Sequence, residues 1–360
     1  MLHSFLFAFI AIILYAYSVL RYYDVWKRIK IPFFIYVLIH ILSLLISAVL
    51  LMPWIGTIPY VFLWTGNAYI TLYSAVMLVT PILCFFRGII RFLGKRFRWR
   101  GKVYRFVNHP MKLILCFLVL SIGVGTYGLV HERCLQKFEY KMKTDKEMLT
   151  DQMTVFFLTD LKIGNRMSQA ELSELVEKMN AEKPDLVLLG GNIIGQGVSE
   201  QTALKILDQL QKLVTEQGVY MVGGSEDSKR LAQLAKEIER RGLRYLCDEG
   251  VVLANGVQLV GCGVPNREKR KRLPYTLSLT DPKKPTILLS YEAQEDKIFR
   301  EEKIDVVLGH GFAGQYGWKK EGTTNFLQTS GVRTNGFFRK YIVPSEYIKF
   351  TLTTSAYRRQ

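Results

Sequence analysis

The sequence predicts two unlike parts: an N-terminal α-helical transmembrane bundle, followed by an α/β domain built on a mixed sheet. Three observations predict this division. Apolar runs of spanning length fill the first third of the chain, strand and helix patterns alternate in the remainder, and charge is distributed very unevenly between the two. We expect the bundle at residues 1–130, a charged stalk or linker at 131–153, and the α/β domain at 154–360. Within the stalk, FEYKMK at 138–143 alternates in the manner of an edge strand.

Charge separates the two parts. Residues 1–130 contain 13 Lys and Arg side chains and one acidic residue, Asp24. Subtraction from the chain totals of 48 and 31 leaves 35 basic and 30 acidic residues in the rest, so +12 of the net charge of +17 belongs to the first third. Positive charge beside apolar runs is typical of membrane proteins. We therefore expect a membrane partner and no nucleic acid.

Four apolar runs, at about 2–20, 32–52, 59–86 and 113–130, each come close to the length of a spanning helix, ~20 residues. The loops after the first and third runs are strongly basic, whereas the loop after the second carries no charge. Positive loops stay in the cytoplasm. The chain is thus predicted to be a multi-pass protein of the cell membrane, with its N-terminus and its α/β domain both extracytoplasmic.

The remainder of the chain alternates strands with helices. Ser168, with Glu171 three residues later, is a capping box at the start of a helix that Pro184 ends. Asn255-Gly256 indicates a hairpin turn. Further helices are predicted at 199–216 and 228–241, a charged helix before residue 304, and two final strands at 337–354. The apolar strands are predicted at 154–158, 186–189, 219–222, 286–289 and 304–308.

Each of these five strands ends in a small, polar or glycine-rich corner. The corners are Thr159–Lys162, Gly190–Asn192, Gly223–Asp227, Ser290–Tyr291 and Gly309–Phe312. Strand ends of an α/β sheet converge at one edge, so we expect the corners to form one site. The candidate binding residues are Asp160, Lys162, Asn192, Ser225, Glu226, Asp227, Tyr291, His310, Phe312 and Gln315.

In order and content, these corners resemble the motifs of the calcineurin-like metallophosphoesterases, in the branch with four N-terminal membrane helices. That family carries D-x-H, G-D, G-N-H-D, a single His and G-H-x-H-G-G-Q at the five corners. The resemblance covers about residues 154–352. It implies an α/β/β/α sandwich and a phosphoric ester hydrolase whose two divalent metal ions activate water and hold the phosphate ester.

Most of the implied metal ligands are replaced. The family pattern has His, Asp, Asn, His, His and His where this chain has Lys162, Asn192, Ser225, Glu226, Tyr291 and Phe312. Asp160, Asp227, His310 and Gln315 match. Of the seven usual ligands only Asp160 and His310 are left as remnants, and Glu226 is the one carboxylate at the position of the family's leaving-group histidine.

The residue count supports the same interpretation without the family. A two-metal site is a cluster of carboxylates and imidazoles, yet His310 is the only histidine after His131. Lys162 adds a positive charge where a metal would lie, and like charges about 4 Å apart repel by about 4 kcal/mol at intermediate dielectric. We therefore expect no metal cofactor. Our hypothesis is that the Lys162 ammonium takes the cation's place, paired with Asp160 and Glu226.

Three functional classes stay open. The favoured one is a catalytically inactive phosphoesterase-like domain, a binding or regulatory module at the outer membrane face; its candidate ligands are a phosphorylated lipid, a glycan or a membrane protein. The second is a metal-dependent phosphoester hydrolase with an altered site that uses Asp160, Glu226, Asp227 and His310. The third is an assembly component whose membrane bundle is the functional part.

Overall fold

The computed structural model describes residues 101–262, 277–291, 304–311, 316–333 and 343–355, together with 32–35, 37–38, 41, 79, 82–83 and 85–98. Its helices are α1 (Lys102–Asn108), α2 (Pro110–Arg133), α3 (Gln169–Ala181), α4 (Glu200–Leu210), α5 (Ser228–Gln233) and α6 (Ala235–Arg240). Its strands are β1 (Leu135–Thr144), β2 (Gln152–Leu158), β3 (Leu186–Leu189), β4 (Val219–Met221), β5 (Leu243–Tyr245), β6 (Glu249–Val252), β7 (Gln258–Cys262), β8 (Thr286–Ser290), β9 (Val306–His310), β10 (Gly317–Glu321), β11 (Thr324–Thr329) and β12 (Ser345–Thr354).

The chain divides into two compact units, and in the described residues the division falls between His131 and Glu132. The first unit contains helical residues at 85–96, α1 and most of α2. The predicted spans 2–20, 32–52 and 59–86 lie largely outside the described residues, and the fourth falls within α2. Of the helices in the described part of the chain, none combines the length and the apolar character needed to cross a membrane.

The second unit contains two six-stranded sheets in its described residues. Their strand orders are β1-β12-β2-β3-β4-β5 and β10-β11-β9-β8-β7-β6. Strands β2 to β5 are mutually parallel, as are β7, β8 and β9, while β12 and β6 pair antiparallel with β2 and β7. The predicted mixed-sheet α/β fold is confirmed. Parallel neighbours bring their carboxyl ends to the same edge, which positions the site described below.

The segment predicted as a stalk, 131–153, contains the edge strand that the alternation of FEYKMK indicates. Residues Leu135 to Thr144 pair in parallel with Ser345 to Thr354 along the whole of β12, so this segment contributes an edge strand to the first sheet. The strand is longer than the six residues of the pattern. Alternate side chains such as Met142 turn into the core, while Lys141 and Lys143 face solvent.

Alternation along β2 explains how the layers assemble. Val155 and Phe157 pack into the apolar core between the two sheets, whereas Phe156 and Leu158 pack into the core between the first sheet and its helices. All four side chains are buried, as expected for a central strand covered on both faces. The helices expected on the far face of the second sheet fall on residues outside those described.

The predicted start of α3 is confirmed, whereas the predicted lengths of the later helices differ from the structure. At α3 the predicted capping box is confirmed: Glu171 N–H donates to the Ser168 hydroxyl oxygen at 3.1 Å, and Ser168 N–H donates to the Glu171 carboxylate at 2.7 Å. Helix α4 ends at Leu210 rather than near 216, leaving Val214 70% exposed. The predicted helix 228–241 is two short helices, and only one strand, β12, is described in the tail.

Candidate functional site

Side-chain contacts join all five predicted corners at the carboxyl ends of the parallel strands. Asn192, after β3, contacts Asp160 after β2, Glu226 after β4 and Tyr291 after β8. Asp160 in turn contacts His310, the last residue of β9. Of the other predicted site residues, Ser225 is exposed beside Glu226, while Phe312 and Gln315 lie outside the described residues.

Asp160 lies at the centre of this cluster. Its Oδ1 accepts a hydrogen bond from Asn192 Nδ2 at 2.9 Å, and its Oδ2 lies 2.8 Å from His310 Nδ1. Burial by itself would raise the pKa of Asp160, but His310, Lys162 and Asn192 together bring that pKa below its usual value. Asp160 is therefore an ionised carboxylate whose two oxygens are both engaged.

Lys162 supplies the cation of the cluster. Its side chain is 3% exposed, and its Nζ lies 2.5 Å from Glu226 Oε1 and 3.7 Å from Asp160 Oδ1. This is the pairing that the sequence predicts. The backbone reaches it through positive φ angles at Asp160 (54°) and Lys162 (47°), a conformation that costs non-glycine residues free energy and that surrounding contacts must maintain.

Asn192 links four corners, and its amide orientation is determined by its partners. Its Oδ1 accepts the Glu226 backbone N–H at 2.8 Å, and a backbone N–H can only donate. Its Nδ2 therefore faces Asp160 at 2.9 Å and the Tyr291 hydroxyl at 2.6 Å. At the centre of the site Asn192 presents amide hydrogens rather than a lone pair.

Tyr291 and His310 form an aromatic wall. Their rings stack with centroids 5.5 Å apart and planes 11° from parallel, and both residues are buried. Burial, followed by the charge of Asp160, raises the pKa of Tyr291 well above its usual value. Tyr291 is therefore a neutral phenol that fills space and accepts a hydrogen bond.

Asp227 has a structural role. Its Oδ1 accepts the backbone N–H groups of Gly224 (2.8 Å) and Asn192 (3.1 Å), and its Oδ2 those of Ile193 (2.6 Å) and Ile194 (3.2 Å). Burial raises the pKa of Asp227 although these four N–H groups lower it. Because both oxygens face the backbone, Asp227 fastens the second corner to the third and is not available as a ligand.

Glycine allows these two corners to approach each other closely. A Cβ at Gly224 would overlap the side chain and backbone nitrogen of Asn192, and a Cβ at Gly191 would meet Gly224. Gly191 also has a φ of 99°, which side chains disfavour. The glycines of the second and third corners are thus required by packing, independently of any chemistry.

Sequence reasoning missed a sixth corner, which follows β11. Val332 N–H donates to Thr159 O at 2.9 Å and Arg333 N–H donates to Asp160 O at 3.0 Å, while Gly331 approaches the Asp160 side chain. The available signal was the dipeptide Ser330-Gly331, which follows the strand β11 (TNFLQT). In the structure β11 is largely buried and runs parallel to β9. This corner holds the backbone of Asp160 in place.

This set of donors does not fit a pair of divalent metal ions, which require several carboxylate and imidazole ligands. Lys162 lies between Asp160 and Glu226, and Asn192 directs hydrogens toward the site. Among the described residues, no three His, Cys, Asp or Glu side chains come together as a cation site. What the arrangement does chemically is to pair one internal ammonium with two carboxylates.

We expect the contribution of Asp160 to stability to depend on pH. Its pKa is lowered in the folded protein, so its contribution is present above the unfolded pKa of about 3.9 and is lost as pH falls through the lower folded value. Thermal unfolding of the full chain and of Asp160→Asn should differ by a constant amount from pH 7 to about 5. That difference should shrink below about pH 4; a gap that persists unchanged to pH 3 contradicts an ionised Asp160.

Comparison with known proteins identifies the phosphoesterase family by sequence. The calcineurin-like phosphoesterase family profile matches residues 153–334. A Helicobacter pylori protein (strain J99), named an uncharacterized metallophosphoesterase, is 27% identical over 244 residues, which cover 61% of this chain and 63% of the relative. The match thus spans less than two thirds of that relative's length.

A second Helicobacter pylori protein (strain 26695) with the same name is 25% identical over 335 residues, covering 80% of this chain and 88% of the relative. Among solved structures, TT1561 of Thermus thermophilus matches with a TM-score of 0.40 and 14% identity, over 49% of this chain and 88% of that one.

Proposed function

The chain belongs to the calcineurin-like phosphoesterase family, and from that premise we propose that it is a catalytically inactive member that acts as a binding or regulatory module. The observation that carries this proposal is the buried ammonium of Lys162, 2.5 Å from Glu226 and 3.7 Å from Asp160. It pairs with both carboxylates that would otherwise attract a metal ion.

Electrostatics supports this proposal. A divalent ion beside Asp160 would lie within a few ångströms of the Lys162 ammonium, and Lys162 is nine-tenths or more buried, so water screens this repulsion poorly. Asn192 is neutral and would bridge two dications much less well than a carboxylate. Without the metal pair, the family's means of activating water is missing.

The proposed setting is the outer face of a membrane. Its support is the sequence pattern of the first third: four apolar runs, basic loops after the first and third, and one acidic residue in 130. A domain attached there would meet phosphorylated lipids, glycans and membrane proteins, which are the ligand classes we propose. The exposed Ser225 and the Glu226 side chain, 24% exposed, form the accessible polar rim of the site.

A hydrolase with an altered site is the second candidate. Glu226 favours it, because this carboxylate reaches the centre of the site and retains partial exposure. Asp227 opposes it, because in the described part of the chain both of its carboxylate oxygens accept hydrogen bonds from backbone N–H groups. The candidate therefore depends on Glu226 leaving Lys162.

Metal analysis with an activity assay separates the two candidates. We expect full-length protein, purified in mild detergent and dialysed against Mn²⁺, to retain far less than one equivalent of metal. In Mn²⁺ it should hydrolyse bis(p-nitrophenyl) phosphate no faster than Asp160→Ala, since the cluster offers no metal-activated water. Stoichiometric metal, together with turnover that Asp160→Ala abolishes, would establish the hydrolase instead.

A further inference from the structure

A basic and aromatic surface lies in the first unit, in the described part of residues 85–112. We call it the basic–aromatic segment. Its phenylalanines are strongly exposed, Phe92 at 69% and Phe97 at 71%, with Phe85, Phe86 and Phe106 also exposed. Its exposed basic side chains are Arg91, Lys95, Arg96, Arg98, Lys102, Arg105 and Lys112. We propose that this segment binds the surface of an anionic phospholipid bilayer.

Helix geometry sorts the two kinds of side chain. Residues 85–96 are helical, so Arg91 and Lys95 are four positions apart and share one face. Phe86, Ile89 and Leu93 are exposed and recur at spacings of three and four, on a face roughly opposite. A helix with a Lys/Arg face and a Phe/Leu face lies in the plane of a membrane interface rather than across it.

The charge of this segment is of one sign. Between Asp24 and Glu132 the chain has no acidic residue, so no carboxylate within these positions competes for the basic side chains. Clustered Lys and Arg side chains beside a membrane attract anionic headgroups, and the attraction grows with each basic side chain near the surface. The complementary partner is therefore a bilayer rich in anionic phospholipid.

The exposed aromatic rings distinguish lipid from the other polyanion that such a surface could attract. Nucleic acid is bound through phosphate contacts, and its bases stack on aromatic rings held in a groove. Here Phe86 and Leu93 lie on the opposite helix face from Arg91 and Lys95, an arrangement that suits headgroups on one side and acyl chains on the other.

The test uses full-length protein in nonionic detergent, equilibrated with mixed micelles of equal phosphatidylglycerol and phosphatidylcholine and then captured by affinity resin. At 0.1 M salt we expect the captured phospholipid to contain at least about five times as much phosphatidylglycerol as phosphatidylcholine. The enrichment should fall at 0.5 M salt, because screening shortens the range of the attraction. The test variant combines Arg91→Gln, Lys95→Gln, Lys102→Gln and Arg105→Gln, and it should lose most of the enrichment.

A matched control removes the same charge from exposed positions of the second unit. It combines Lys141→Gln, Lys143→Gln, Arg240→Gln and Lys320→Gln, and it should keep the enrichment. If the basic side chains serve only as an orientation signal during membrane insertion, the purified wild type should capture equal amounts of both lipids. That result overturns the proposal. The proposal is also overturned if the wild type captures an RNA oligomer more tightly than phosphatidylglycerol and the test variant loses that RNA binding. Neither outcome bears on the metal assay of the proposed function.

Discussion

Replacement of Lys162 by methionine is expected to destabilise the second unit by about 3–5 kcal/mol, the usual loss when one partner of a buried ion pair is removed. Methionine keeps the volume of the side chain but leaves Asp160 and Glu226 without the ammonium that lies 3.7 and 2.5 Å from them. For a unit of this size the thermal midpoint should fall by about 10 °C. Differential scanning fluorimetry of the full chain in mild detergent measures it.

Two further variants show whether charge causes that loss. Adding Glu226→Gln to Lys162→Met removes the carboxylate closest to the vacated ammonium position, so the double variant should recover part of the midpoint. Lys349→Met is the matched control. The Lys349 side chain is 24% exposed, and its ammonium pairs with Glu182 at 2.9 Å. Lys349→Met should lower the free energy of unfolding by about 1 kcal/mol or less. Equal losses of stability for Lys162→Met and Lys349→Met would contradict the description of Lys162 as a buried cation that the site needs.

Arg333→Ala is expected to cost the folded protein about 3 kcal/mol. The Arg333 guanidinium is buried, and it donates to Glu132 O at 2.9 Å and to Glu171 Oε1 at 2.6 Å. Its removal leaves a carboxylate and a backbone carbonyl without this donor, the costly case for buried polar groups. The same change loosens the loop whose Arg333 N–H donates to Asp160 O.

The control for Arg333 is Arg240→Ala, because the Arg240 side chain is 71% exposed and pairs only at the surface with Glu237. We expect this control to shift the thermal midpoint by about 2 °C or less, as exposed ion pairs contribute little. Arg333→Ala combined with Glu171→Gln should be less damaging than the sum of the two single changes. Strict additivity would show that Arg333 and Glu171 do not interact energetically.

Together these variants test one physical description of the site. In this description the corners are a closed polar network. Lys162 pairs with two carboxylates, and the Asn192 side chain hydrogen-bonds to groups of three other corners. Asp227 joins two loops through four backbone N–H groups. Such a network adds stability and order to the strand ends. It leaves the rim near Ser225 and Glu226 as the part that a ligand can reach.

Local patterns were enough to predict much of this arrangement. The apolar run of β2, the capping box at Ser168 and the corner after each parallel strand all follow from short-range rules, and they predicted the mixed sheets and the convergence of Asp160, Asn192 and His310. Short-range patterns also misjudged some lengths. Helix α4 ends at Leu210 rather than near 216. The alternation of FEYKMK indicated an edge strand in the predicted stalk, but its pairing with β12 depends on a segment about 200 residues away in the sequence.

By itself the sequence determined the residue types: one histidine after His131, a lysine where the family has a histidine, and basic charge concentrated in the first third. Only the tertiary structure decided what each side chain faces. It turned Asp227 toward the backbone and brought the corner at Gly331 against Asp160. The physical reason is that donor direction and burial depend on how distant loops pack together, and no single segment of the chain encodes that packing.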